Sequence, residues 1–194
     1  LGGPEVHAKH SGSVDIVVPD EQTATETVRE LLGLLPQNYR HDPPAITPKP
    51  PAKNPKGLDA VIPEEPNKAY DVHEVIDRVV DRESFLELKP EFAPELVTGL
   101  ARIDGEVVGI VANQPDHVSG AIFPDSADKG AGFVWTCDAY NVPLVYLCDT
   151  PGYMIGSQVE KEGVLRKGRK FIYATSNAQV PKFCVITRKA YGAG

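Results

Sequence analysis

Residues 143–194 read PLVYLCDTPGYMIGSQVEKEGVLRKGRKFIYATSNAQVPKFCVITRKAYGAG, and this stretch decides the fold. Two short apolar runs, Leu144–Cys148 and Phe183–Thr187, are rich in β-branched and aromatic residues and follow prolines. Such runs predict buried parallel strands. Between them, residues 160–178 predict a helix, which makes the stretch a right-handed strand–helix–strand crossover. Each strand runs into a glycine-containing turn, Thr150-Pro151-Gly152-Tyr153 and Tyr191-Gly192-Ala193-Gly194. Ligands of α/β layers sit at the carboxyl ends of strands. Small residues there let a substrate approach bare backbone N–H groups. The two strand ends also resemble each other. Val142-Pro143 recurs as Val180-Pro181 and Tyr153 recurs as Tyr191, each pair 38 positions apart. A fold that stacks similar turns of a superhelix would produce this spacing.

Working outward, 194 residues allow one domain or parts of two. The chain opens at Leu1 and stops at Gly194, inside a turn that should lead to a helix, which reads as a piece of a longer polypeptide. A net charge of −7 argues against a nucleic-acid partner, because phosphate contacts need basic surface. No apolar run approaches the roughly 20 residues of a membrane helix, so no membrane partner is expected; no signal peptide is visible. Cys137, Cys148 and Cys184 are scattered through apolar patterns and read as plain buried thiols. That points to a reducing compartment: the cytoplasm, or the mitochondrial matrix in a eukaryote. His7 and His10 lack a carboxylate or thiol at helical spacing, so they read as surface or structural and no metal is expected.

Taken in order, Asp20 can cap a helix over 21–35 with Val28, Leu31, Leu32 and Leu35 on its apolar face. Residues 41–67 carry too many prolines for regular structure and read as a semi-rigid linker at a domain boundary. Residues 71–80 predict a helix, with Asp71 and Glu74 at capping-box spacing and Val72, Val75, Ile76 and Val79 buried. Phe85, Leu86 and Leu88 start a strand. Residues 97–103 and 107–112, joined by Asp104-Gly105, predict a hairpin with a type I′ turn. Residues 126–140 predict a helix with Ala131, Val134, Trp135 and Ala139 facing inward.

No nucleophile–base set presents itself. Ser119 and Ser157 lack the strand-elbow context of a hydrolase. What the chain offers is backbone: two turns able to aim N–H groups at a developing negative oxygen. Arg166, Lys167, Arg169 and Lys170 form a basic cluster on the 160–178 helix and read as a largely solvated face.

Six collinear blocks carry a resemblance: LGGPEVHAKHSG (1–12), KAYDVHEVIDRVVD (68–81), GLARIDGEVVGIVANQP (99–115), KGAGFVWTCDAYNVPLV (129–145), DTPGY (149–153) and QVPKFCVITRKAYGAG (179–194). Through them the chain resembles the carboxyltransferase β subunits of biotin-dependent acyl-CoA carboxylases, the propionyl-CoA and methylcrotonyl-CoA group. The resemblance implies an α/β crotonase-like superhelix of ββα units. Residues 1–40 would be the tail of a first domain, 41–67 the linker and 68–194 the first half of a second domain. It implies transfer of a carboxyl group from carboxybiotin to the α-carbon of an acyl-CoA, with no side-chain base and no metal. Paired backbone N–H groups would stabilise two oxyanions, on the thioester enolate and on the biotin ureido oxygen, and the second-domain pair would fall here at Ala193 and Gly194. Pro151, Gly152, Tyr153 and Gly192 would line the biotin pocket. The implied partners are a biotin carboxylase and biotin-carrier subunit, the acyl-CoA, and further copies of the chain in a dimer-based hexamer. A related biotin-dependent decarboxylase, or a non-catalytic assembly subunit of the same fold, is the alternative. The family ends this motif Tyr-Gly-Gly-Ala, whereas this chain has Tyr191-Gly192-Ala193-Gly194. The identity of the acyl-CoA stays open.

Overall fold

The crossover forms one side of a five-stranded mixed sheet, in the order β1-β2-β3-β4-β5. The structure is a computed structural model and describes residues 2–192. The strands are β1 (Leu86–Leu88), β2 (Leu96–Ile103), β3 (Glu106–Asn113), β4 (Leu144–Thr150) and β5 (Lys182–Ala190). Among the described residues the helices are α1 (Pro4–Lys9), α2 (Glu21–Leu34), α3 (Leu58–Val61), α4 (His73–Val79), α5 (Pro124–Ala139), α6 (Ser157–Lys161) and α7 (Val164–Asn177). β1, β2 and β3 pair antiparallel, and β3, β4 and β5 pair parallel. Asp104 (φ 53°) and Gly105 (φ 81°) both take the positive φ of a type I′ turn, as the Asp-Gly pair predicts.

The alternation of side chains across the strands builds two cores. On one face Leu96, Leu100, Val111 and Leu144 meet Ala131, Val134 and Cys137 of α5 and Phe171 of α7. On the other, Val97, Ala101, Ile110 and Ala112 meet Val75 and Ile76 of α4. The 38-residue spacing is the pairing register itself. Leu144 pairs with Lys182, and every partner keeps that offset through Cys148 and Ile186. In both repeats the proline carbonyl accepts the first ladder bond: Pro143 from Gly109 N–H at 2.8 Å, and Pro181 from Leu144 N–H at 2.9 Å.

Several expectations are corrected. Among the described residues β5 pairs only with β4, and Phe183, Cys184, Val185 and Ile186 are exposed where buried strands were expected. The three thiols therefore differ: Cys137 is buried, Cys148 half-buried and Cys184 exposed. The 160–178 helix is two helices, broken at Gly163, which sits in the left-handed region (φ 86°). In α2 the Asp20 carboxylate caps Thr23 N–H at 2.7 Å as expected, but Val28 and Leu32 are exposed and Leu34 is the buried residue. In α5, Trp135 and Ala139 face out; Phe133 and Cys137 take the inner positions. The capping box of α4 does not form. Val72 is its N-cap, Asp71 accepts from His73 N–H, and Glu74 pairs with Lys53 and Arg78.

The proline-rich stretch is extended, yet it carries a 3-10 turn (Pro55–Gly57) and α3, and it is bolted down. Ile46 N–H donates to Gly105 O and Lys53 N–H to Asp77 O. The buried Arg102 guanidinium donates to Gly33 O, Pro44 O and Gly105 O, which ties α2, the proline stretch and the hairpin turn together. Half of the basic cluster is paired: Lys167 reaches Asp125 at 2.6 Å and Lys170 reaches Asp128 at 2.7 Å, locking α7 to α5. Arg166 and Arg169 face solvent.

Candidate functional site

The ends of β4 and β5 bring the two glycine turns into backbone contact. Gly152 takes φ +101°, a conformation L side chains rarely adopt. A Cβ there would lie 2.7 Å from the Tyr191 carbonyl oxygen and 3.4 Å from Gly192 Cα. Tyr191 N–H donates to Thr150 O at 3.1 Å. Gly152 N–H donates to Thr150 Oγ1 at 3.0 Å. Gly152 O accepts from Ile122 N–H, and Met154 N–H donates back to Ile122 O, so the first turn is also stitched to the segment before α5.

Tyr153 leaves this turn and packs on α7. Its hydroxyl donates to Gly168 O at 3.1 Å, and a Cβ on Gly168 would lie 2.8 Å from its ring. Glycine at 168 is therefore a packing requirement. Burial pushes the Tyr153 phenol up to about 12, so it is neutral near pH 7 and braces the turn. An apolar cavity of about 440 Å³ lies beside it, with Tyr146, Cys148, Tyr153, Phe171, Phe183 and Cys184 on its walls.

The candidate site residues fall into two groups. Pro151, Gly152 and Gly192 lie backbone to backbone, with Pro151 and Gly192 exposed, while the Tyr153 side chain turns away onto α7. Ala193 and Gly194 lie outside the described residues. Pro151 has no N–H, and that of Gly152 is already bonded within the turn. His7 is a surface residue bonded to Ser11 and Ser13. Among the described residues, no group of three or more His, Cys, Asp or Glu is placed to hold a metal ion.

Behind the turns lies a cluster to which the sequence alone assigns no role. Asp149 is 1% exposed. Its Oδ2 accepts from Arg188 Nε at 3.0 Å, and Lys189 Nζ lies 3.4 Å from its Oδ1, an ion-pair distance without hydrogen-bond alignment. Arg188 also donates to Glu65 O and Lys68 O at 2.8 and 2.9 Å and lies over the Tyr70 ring. Lys189 reaches Pro66 O at 3.2 Å. One signal was present in the sequence. An acidic residue closes one apolar strand, and two basic residues close the strand that repeats it.

Comparison with known proteins gives a consistent picture. The carboxyl transferase domain family model matches residues 1–194. An uncharacterized carboxylase of Bacillus subtilis is 50% identical over 100% of this chain and 38% of its own length. The biotin-dependent acetyl-/propionyl-coenzyme A carboxylase beta5 subunit of Mycobacterium tuberculosis is 46% identical over 99% of this chain and 36% of its own length. The transcarboxylase 12S structure, solved with methylmalonyl-coenzyme A and methylmalonic acid bound, matches with a TM-score of 0.95 and 42% identity, over 99% of this chain and 38% of that one. The chain thus spans under two-fifths of the length of these relatives. The crotonase-like α/β fold expected from the resemblance is the fold of these carboxyltransferases. By sequence over its whole length, and by a fold that superposes on a carboxyltransferase, the chain belongs to the carboxyl transferase domain family.

Proposed function

We propose that the polypeptide containing this chain is the carboxyltransferase component of a biotin-dependent acyl-CoA carboxylase. One observation carries the reading: two strand-end turns lie backbone against backbone, with glycine at their closest approach. Such a site lowers a barrier by placing N–H donors, and it needs no titrating side chain. When bound, carboxybiotin supplies the carboxyl group. Pro151 and Gly192 are exposed, and in this reading the flat ring of biotin lies on them. Donors to the ureido oxygen then come from the backbone of Ala193 and Gly194. Tyr153, held on α7, keeps the first turn from collapsing into that space.

In this reading residues 1–40 end a first crotonase-like domain, 41–67 link, and 68–194 begin a second. In this reading most contacts to CoA would come from the part of the polypeptide outside this chain. The partners are a biotin carboxylase with its carrier, the acyl-CoA, and further copies of the polypeptide. Transcarboxylase 12S assembles as a hexamer, which supports a hexamer of this polypeptide as well.

The test is transfer of labelled carboxyl to propionyl-CoA by the full-length protein with its biotin partner, in wild type and in Gly194→Val. A Cβ on the donor residue should lower turnover about 10²-fold or more, the range for a spoiled oxyanion donor. Binding of propionyl-CoA should change little. Normal turnover of the folded variant would show that this turn is not the oxyanion site.

A further inference from the structure

We propose that Asp149 is a positioning residue for the carboxyl-transfer site, acting through Arg188 and Lys189 to set the second turn against the first. The inference rests on the function proposed above.

The strand pairing makes this arrangement. Partners on β4 and β5 differ by 38 residues up to Cys148 and Ile186 but by 40 at Thr150 and Ala190, so β5 bulges opposite Asp149. Bulges commonly re-aim side chains beside active sites. Here the bulge holds residues 187–189 against a single residue of β4 and brings two consecutive basic side chains onto one carboxylate. Without it, β5 would alternate Arg188 and Lys189 to opposite faces.

All three side chains are at least nine-tenths buried. A buried carboxylate between two cations has a narrow set of favourable geometries, because each charge lacks water to fall back on. The cluster sits next to both turns in sequence. Asp149 is one residue before Thr150, whose carbonyl receives Tyr191 N–H, and Lys189 is two residues before Tyr191. The β4 end is also fixed by Asp149 N–H donating to Asn113 Oδ1 at 3.3 Å. Arg188 and Lys189 carry the anchorage outward, to carbonyls of Glu65, Pro66 and Lys68 in the proline-rich segment. All three are turned to buried partners, so in this proposal their effect on turnover runs through backbone placement.

The experiment uses the full-length protein with its biotin partner and propionyl-CoA as the probe. kcat and KM are measured for Asp149→Asn, Arg188→Lys and Lys189→Gln, each corrected for folded fraction by thermal melting. A misplacement of the turn by about 1 Å predicts a kcat loss of about 10²-fold in Asp149→Asn, with KM for propionyl-CoA within about twofold of wild type. Arg188→Lys keeps the charge but loses the fork that spans Asp149 and the segment at 65–68, and should lose less, about tenfold. A purely structural role would lower the melting temperature and leave kcat per folded enzyme unchanged. Wild-type kcat in folded Asp149→Asn overturns the proposal. If that variant fails to fold, wild-type kcat in both Arg188→Lys and Lys189→Gln overturns it, and a loss in either supports it. Normal turnover in Gly194→Val refutes the underlying site assignment instead, whatever the cluster variants do.

Discussion

At the residue scale, the ionisable groups that matter are those whose partners the fold supplies. His73 is hydrogen-bonded by Glu87 at 2.8 Å and by Asp71 at 2.6 Å, and these bonds raise it from 6.5 to about 9 despite its partial burial. A raised histidine binds its proton more tightly in the folded state, so its stabilisation is complete below about pH 6.5 and is lost as pH rises through about 9. Its side chain is 38% exposed, so solvent screens the effect. Relative to His73→Gln, the melting temperature of the wild type should fall by a few degrees between pH 6 and pH 9.5. Lys129 runs the other way. It is buried against the carbonyls of Lys89 and Phe92 and pushed down to about 8 by desolvation, so its contribution improves as pH rises above that value. The difference between wild type and His73→Gln isolates the histidine. An identical pH profile in the two proteins would show that the pair with Glu87 does not form. Neither group was legible in the sequence. Asp71 and Glu87 are 16 residues apart, and only the α4–β1 packing puts His73 between them.

At the element scale, the parallel core was largely readable because its strands are apolar runs with a repeated spacing. The helices were readable in extent and less so in facing. Trp135 suits an inner position by hydrophobicity, yet Phe133 and Cys137 occupy the side of α5 that meets β3. The exposure of β5 among the described residues has no sequence signature, because a strand buried by further chain and an edge strand share the same composition. Helix α7 shows what periodicity misses. Gly168 should weaken a helix, and alanine there would add about 1 kcal/mol of helix preference. The structure predicts the reverse result. The added methyl meets the Tyr153 ring at 2.8 Å, and overpacking of that kind costs about 1–3 kcal/mol. Gly168→Ala in the full-length protein should melt no higher than wild type and lose about tenfold in kcat as Tyr153 shifts. Kinetics and thermal melting on that variant check both parts. A higher melting temperature with unchanged kcat would mean that Tyr153 does not brace the turn.

At the scale of the whole molecule, hydrogen bonds tie the proline-rich stretch to the sheet and to the end of β5. The sequence made 41–67 a linker on composition alone. The structure adds that two buried arginines hold its two ends: Arg102 binds Pro44 O, and Arg188 binds Glu65 O. Long-range ties of this kind leave no local pattern, which is why the anchoring cluster was not legible while the glycine turns were. The central claim is that carboxyl transfer occurs where those turns touch. Gly152→Ala tests it most directly, because the added Cβ is driven 2.7 Å from Tyr191 O at φ +101°. The measurement is kcat and KM for carboxyl transfer to propionyl-CoA by the full-length protein, with melting to confirm the fold. The account predicts that the folded variant loses about 10²-fold in kcat while KM stays within about twofold. A folded Gly152→Ala protein with wild-type kcat would contradict it.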